Sequence, residues 1–229
     1  MKRGFAAEGS VDIVRRPVYF IDLENDMEKE STKEKILEAA ADLVHRKGFN
    51  HTGIKEILDA AGVPKGSFYF YFKSKEDFGL ALVDHFAERI AAVAASCFED
   101  DSKPPLARLR SFFQWAYKRF ETEGCEKGCP IGNLCQEMSD LSPAFREKLE
   151  AATERMALGV AGILHQAKEA GELPPGLDAD ETARFITSSW QGALLIMKVV
   201  KSLEPLYRFD RFIFGEILSE RKSDVASHG

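Results

Sequence analysis

Residues Ala61-Gly62-Val63-Pro64-Lys65-Gly66-Ser67-Phe68-Tyr69-Phe70-Tyr71-Phe72-Lys73-Ser74-Lys75-Glu76 contain the end of one helix, the whole of a second and the start of a third. Ahead of them Thr52 offers an N-cap, and Ile54, Ile57, Leu58 and Ala61 supply a short apolar face that Gly62 breaks. Glycine tolerates the positive φ of a tight turn, and Val63 plugs the angle between the two helices. Pro64 suits the first turn of the next helix, which is predicted to run to about Phe70. Ser74 can cap the helix after that, with Glu76 and Asp77 in its first turn and Leu80, Leu82, Val83, Phe86 and Ile90 along its face. Two short helices joined at Ala61-Gly62-Val63 read as a helix-turn-helix. A B-DNA major groove about 12 Å wide admits one α-helix, so a short exposed helix carrying Lys65, Ser67, Tyr69 and Tyr71 suits it.

Upstream, Ser31 or Thr32 caps a helix whose apolar positions Ile36, Leu37, Ala40, Leu43 and Val44 recur at three- and four-residue steps, with Gly48 as its end. Residues 1–26 lack sustained periodicity and are expected to be a poorly ordered extension, with Met27 an alternative start of translation. Downstream of Pro104 and Pro105 comes an aromatic helix; the Gly- and Cys-containing segment 124–133 interrupts the helical run, which resumes over 143–170, 179–202 and 205–219. No strand alternation is visible. The expected fold is all-α: a three-helix helix-turn-helix domain at 27–76, a larger helical domain at 77–220 and a tail at 221–229.

The chain has a formal charge of −6, which argues against coating nucleic acid through bulk charge. Between Arg46 and Lys75, however, Arg46, Lys47, Lys55, Lys65, Lys73 and Lys75 face only Glu56 and Asp59, a local excess of four positive charges. Nothing is long and apolar enough to span a bilayer, and no apolar signal core with a cleavage site follows the first basic residues, so the cytoplasm is expected. Cys97, Cys125, Cys129 and Cys135 are too sparse for a disulfide framework, and the spacing of the last three fits no common zinc pattern. Nucleotide, metalloprotease and nucleophile-elbow motifs are missing; no enzyme, metal or cofactor is expected.

The string Ala61 to Glu76, together with Ile36-Leu37-Glu38-Ala39-Ala40, Gly48-Phe49, Thr52 and Ile57, closely resembles the N-terminal domain of the TetR family of transcriptional regulators. The resemblance implies that Thr52 and Lys55 approach the DNA backbone, that Lys65, Gly66, Ser67, Tyr69 and Phe70 face DNA, and that Tyr71, Lys73 and Lys75 bind phosphates. Gly53 and Tyr71 depart from the family's frequent hydroxyl residue and histidine. Phe68 and Phe72, one helical turn apart, read as core. The resemblance also implies that the C-terminal helices form an effector cavity and a dimer interface, giving a repressor that binds a palindromic double-stranded operator as a homodimer.

Candidates for lining that cavity are Phe112, Phe113, Trp115, Tyr117, Phe120, Cys129, Met156, Ile163, Trp190 and Gln191, a set that favours an apolar or aromatic effector. The apolar set Leu206, Phe209, Phe212, Ile213, Phe214, Ile217 and Leu218 is too wide for one buried face. With Ala183, Ile186, Trp190, Leu194 and Met197, and the small residues Ser188, Ser189, Gly192 and Ala193, it suggests dimerisation through the last two helices. The segment Gly128-Cys129-Pro130-Ile131-Gly132-Asn133 resembles a subgroup in which some relatives sense electrophiles, quinones or oxidants through a cysteine at a loop-to-helix junction. The alternative reading is therefore a thiol-based sensor acting through Cys129.

Overall fold

A computed structural model describes residues 32–219. The extension at 1–26, Met27, the Ser31 cap and the tail at 221–229 lie outside the described residues. Among those described, the chain forms α1 (Thr32–Lys47), α2 (Ile54–Ala61), α3 (Lys65–Tyr71), α4 (Lys75–Phe98), α5 (Pro105–Thr122), α6 (Pro130–Met138), α7 (Pro143–Glu169), α8 (Ala179–Val200) and α9 (Glu204–Phe212), with a π-helical turn over Ile213–Ile217. The fold is all-α.

Local chemistry sets most boundaries. The Ser74 hydroxyl accepts the Asp77 N–H at 3.0 Å and starts α4. Ser142 and Asp178 cap α7 and α8 in the same way. Two expectations fail: Gly53, not Thr52, is the N-cap of α2, and Pro64 precedes α3 in an extended conformation instead of entering its first turn. Thr52 is fully buried and its hydroxyl donates to the Gly48 carbonyl at 2.7 Å, closing the corner after α1. Helix α4 is continuous from Lys75, so a boundary at 76/77 falls inside its first turn.

Helices α1, α2 and α3 close around Phe68, Phe72 and Phe78, whose ring centroids lie 5.2–5.6 Å apart. In the larger bundle α7 packs against α4, α5, α6 and α8, and α9 against α8. Phe113 meets Trp190 and Phe209 edge-on, with centroids 5.0 Å apart in both pairs. Phe49, in the corner after α1, reaches Phe145 of α7 at 5.1 Å.

Gly79 lies where the two regions meet. A methyl group there would stand 2.6 and 2.7 Å from carbons of the Phe49 ring and closer still to Cζ of Phe145, both rings being buried. Alanine gains about 1 kcal/mol of helix propensity over glycine, whereas overpacking costs about 1–3 kcal/mol. With rigid aromatic neighbours the second effect is expected to win. Gly79→Ala should lower the urea midpoint of unfolding, and an unchanged or higher midpoint would show that the rings can move aside.

Candidate nucleic-acid interface and effector cavity

Gly62 ends α2 in the left-handed region at φ +65°, and the Val63 N–H bonds back to the Leu58 carbonyl at 3.1 Å. That reversal sets α3 across α2 with Phe68 and Phe72 turned inward. Lys65, Gly66, Tyr69, Phe70 and Lys73 consequently form one exposed stripe, with Ser67 and Tyr71 half-buried at its edges. Tyr69 is 62% and Phe70 82% exposed, unusual for aromatic side chains. Lys55 of α2 stands exposed beside them.

The basic cluster thins once its partners are visible. Arg46 pairs with Asp42, and Lys47 with Glu56. Lys75 donates from Nζ to the Asn50 carbonyl at 3.2 Å, lies 4.9 Å from the Phe49 ring centroid and has its pKa lowered by burial. Among the described residues Lys55, Lys65 and Lys73 remain exposed without an ion pair. Thr52 does not join this surface, because its hydroxyl is spent inside the corner, and Lys75 is drawn back against the protein.

A clamp that the sequence did not announce holds this reader to the rest of the chain. The Glu137 carboxylate of α6 accepts the N–H groups of Phe49 and Asn50 at 2.8 and 2.7 Å. His45 of α1 donates from Nε2 to the Gly128 carbonyl at 2.9 Å, and Lys127 reaches Asp42 at 3.1 Å. Burial, reinforced by Arg119, holds the His45 pKa down to about 3, so the ring is neutral. On its other side the same segment meets α8, where Lys198 donates to the Asn133 side chain at 3.0 Å.

A cavity of about 480 Å³ opens between α4, α5, α7 and α8. Phe112, Phe113, Met156, Ile163 and Trp190 line it, as do Ala91, Ala94 and Ala95 of α4, and Glu88, Arg155, Gln166 and Thr187 supply polar groups. The other five sequence candidates lie elsewhere. Trp115 packs beneath the Arg119 guanidinium, Phe120 is core, and Tyr117 is buried with its hydroxyl donating to Asp210 at 3.5 Å. Burial, with Asp210 beside it, raises the Tyr117 pKa. Cys129 and Gln191 border a separate recess of about 10 Å³, room for about one water molecule. The Cys129 Sγ accepts the Gly132 N–H at 3.5 Å as the N-cap of α6.

The apolar surface of α8 and α9 also differs in detail from the expectation. Ala183, Ile186, Trp190, Leu194 and Met197 are core of this chain, as are Leu206, Phe209, Ile213 and Leu218. Left exposed are Phe185, Leu195, Ile196, Val199 and Val200 on α8 and Phe212 on α9. Among the described residues no helix is long and apolar enough to cross a membrane.

Comparison with known proteins agrees with this geometry. Residues 36–82 match the family described as bacterial regulatory proteins, tetR family, and residues 105–213 match the tetracyclin repressor-like C-terminal domain. The transcriptional regulator AcuR of Cereibacter sphaeroides is 38% identical over 178 residues, 78% of this chain and 81% of that protein. The HTH-type transcriptional repressor DhaR of Mycobacterium sp. (strain GP1) is 32% identical over 192 residues, 84% of this chain and 95% of that protein. The crystal structure of regulatory protein TetR from Rhodobacter sphaeroides superposes with a TM-score of 0.76 at 37% identity, covering 82% of this chain and 98% of its own. A helix-turn-helix reader clamped to a helical bundle, matched at both ends by the same family, makes this chain a member of the TetR family of transcriptional regulators.

Proposed function

We propose that the chain is a cytoplasmic, ligand-responsive repressor that binds a palindromic operator as a homodimer and is released by a small, largely apolar or aromatic effector. The observation that carries the reading is the exposed stripe Lys65, Gly66, Tyr69, Phe70 and Lys73, aimed away from the protein by a buried Phe68. Residues 27–76 act as the DNA-binding domain and 77–220 as the effector and dimer domain. The exposed apolar faces of α8 and α9 pair with their twofold mates. That pairing places two reader helices about 34–36 Å apart, one turn of B-DNA. An effector in the cavity that favours a different spacing weakens operator binding by about 5- to 150-fold for a coupling of about 1–3 kcal/mol. No catalytic step is needed.

The test is a mobility shift with the DNA flanking the protein's own gene, repeated at increasing salt. Retardation should be lost steeply as salt rises, because lysine–phosphate contacts release counterions; absence of binding at low salt would refute the proposal. Gly66 sharpens the test. An added methyl there meets nothing within 4 Å, and Gly66 is the second residue of α3 and not an interior one, so Gly66→Ala should stabilise the protein by no more than about 0.5 kcal/mol through helix propensity. The same methyl obstructs close approach of a duplex, so operator affinity should fall while the melting temperature rises. A variant with unchanged affinity would remove Gly66 from the interface.

The thiol reading of Cys129 has its helix-cap geometry in its favour. It remains the weaker one, because the side chain is only 8% exposed and its sulfur already accepts a backbone N–H. Loss of operator binding on alkylation that persists in Cys129→Ser would exclude it.

A further inference from the structure

The residues of α3 are Lys65, Gly66, Ser67, Phe68, Tyr69, Phe70 and Tyr71. None is arginine, asparagine, glutamine, aspartate or glutamate. The amide pairing with adenine and the carboxylate acceptor for the cytosine amino group are therefore missing from the reader helix, and guanine is left to a single lysine. Hydrogen-bonded readout falls to Lys65, Ser67 and the Tyr69 hydroxyl, which constrain few base pairs. Yet the most exposed aromatic group on the helix is a phenyl ring, Phe70, at 82% exposure. A ring that packs on no core residue of its own domain, one turn from a glycine with open space above it, is shaped for an apolar feature of the partner.

In the major groove the only apolar feature of a base edge is the thymine C5-methyl group. Resting on the reading of α3 as the DNA-facing helix, we propose that Phe70 is a specificity-determining residue that reads thymine methyl groups in each operator half-site. Three observations support that assignment. The Phe70 ring lies edge-to-face against Tyr71, with centroids 4.9 Å apart, while 82% of the residue stays open to a partner. Gly66, one turn earlier on the same stripe, lets the backbone come close enough for a side chain of this length to reach a base edge. Lys55 and Lys73 stand exposed outside α3 and suit phosphates, leaving the base edges to the helix itself. A phenyl ring offers a phosphate no hydrogen bond, whereas a thymine methyl offers it apolar contact.

The test separates the methyl group from everything else about thymine, because deoxyuridine keeps every donor and acceptor and loses only that methyl. The probe is the tightest duplex selected by the wild-type protein from a randomised pool, resynthesised with deoxyuridine in place of thymine one position at a time. At the contacted thymines affinity should fall about fourfold per methyl, and about fifteenfold when both half-sites are changed. Phe70→Ala should bind the thymine duplex more weakly than wild type and be indifferent to the substitution, whereas Tyr69→Phe should keep the discrimination. Circular dichroism should show both variants folded, since each altered side chain stands in solvent. Equal wild-type affinity for all the deoxyuridine duplexes, or discrimination that survives in Phe70→Ala, overturns the proposal. Failure to select any duplex overturns the DNA-binding reading beneath it as well.

Discussion

Replacing Phe68 with alanine is expected to cost about 3–5 kcal/mol of stability, the range for a fully buried phenylalanine. Its ring has no exposed surface and lies 5.3 Å from Phe72 and 5.6 Å from Phe78 by centroid, so the cavity left behind would sit at the centre of α1, α2 and α3. A domain has about 5–15 kcal/mol in all, so the reader should be substantially unfolded in this variant and operator binding lost with it. Phe70→Ala, two residues further on, should change stability by no more than about 0.5 kcal/mol, as exposed substitutions do. Urea unfolding followed by circular dichroism measures both. Similar losses in the two variants would mean that α3 is rotated about its axis from the position described, and the stripe argument would go with it.

Half of that contrast was legible in the chain alone, because four-residue spacing puts Phe68 and Phe72 on one helical face, whereas Phe70 was ambiguous by pattern and only its 82% exposure decides it. Ser74 was equally legible, since its cap is spent on an N–H three residues away. Thr52 shows where local signals run out. A threonine after a helix-ending glycine can cap the next helix or bond back to a carbonyl four residues earlier, and only packing of the corner around Phe49 decides for the second. Lys75 likewise looks like a solvated charge until Asn50 and the Phe49 ring close over it. Glu137 gave no local sign of its role, because its two partners are 88 and 87 residues distant in sequence.

The cavity between α4, α5, α7 and α8 was half legible, for a related reason. Side-chain type does not distinguish an aromatic ring that lines a void from one that fills the core, so Tyr117 and Phe120 looked no different from Phe112 and Trp190. The sign overlooked was the run of small residues on α4, with Ala87, Ala91, Ala94 and Ala95 recurring on one helical face toward the cavity. A void forms where large side chains meet small ones across a bundle, and reading one helix at a time misses it. The exposed apolar surface of α8 is a similar case. Helix α8 has two apolar faces, and the one with Trp190 and Met197 is used within the chain, leaving Leu195, Ile196 and Val199 outward.

Acidification from pH 7 to pH 5 is expected to destabilise the protein by about 2 kcal/mol through His45 alone. Folding lowers its pKa from 6.5 to about 3, first because the ring is buried and then because Arg119 stands near it. Between those two values the unfolded chain binds a proton that the folded chain refuses, so stability falls as the pH drops through that interval and is unaffected by His45 above it. Carboxylates whose pKa is lowered by folding act at lower pH. Glu38, held down to about 2 from 4.5 by its hydrogen bond to His85 and by Arg89, loses its contribution only as the pH falls through that lower range. The interval from 6.5 to 4.5 therefore isolates the histidine. In His45→Gln the amide can still donate to the Gly128 carbonyl but cannot titrate, and its unfolding free energy should be nearly flat between pH 7 and 5. Because the folded ring stays neutral down to about pH 3, its bond to the Gly128 carbonyl persists at pH 5, and operator affinity should change no more through His45 in the wild type than in His45→Gln. A wild-type protein equally stable at pH 7 and pH 5 would show that water reaches the ring and that the junction beneath the reader is looser than His45 requires.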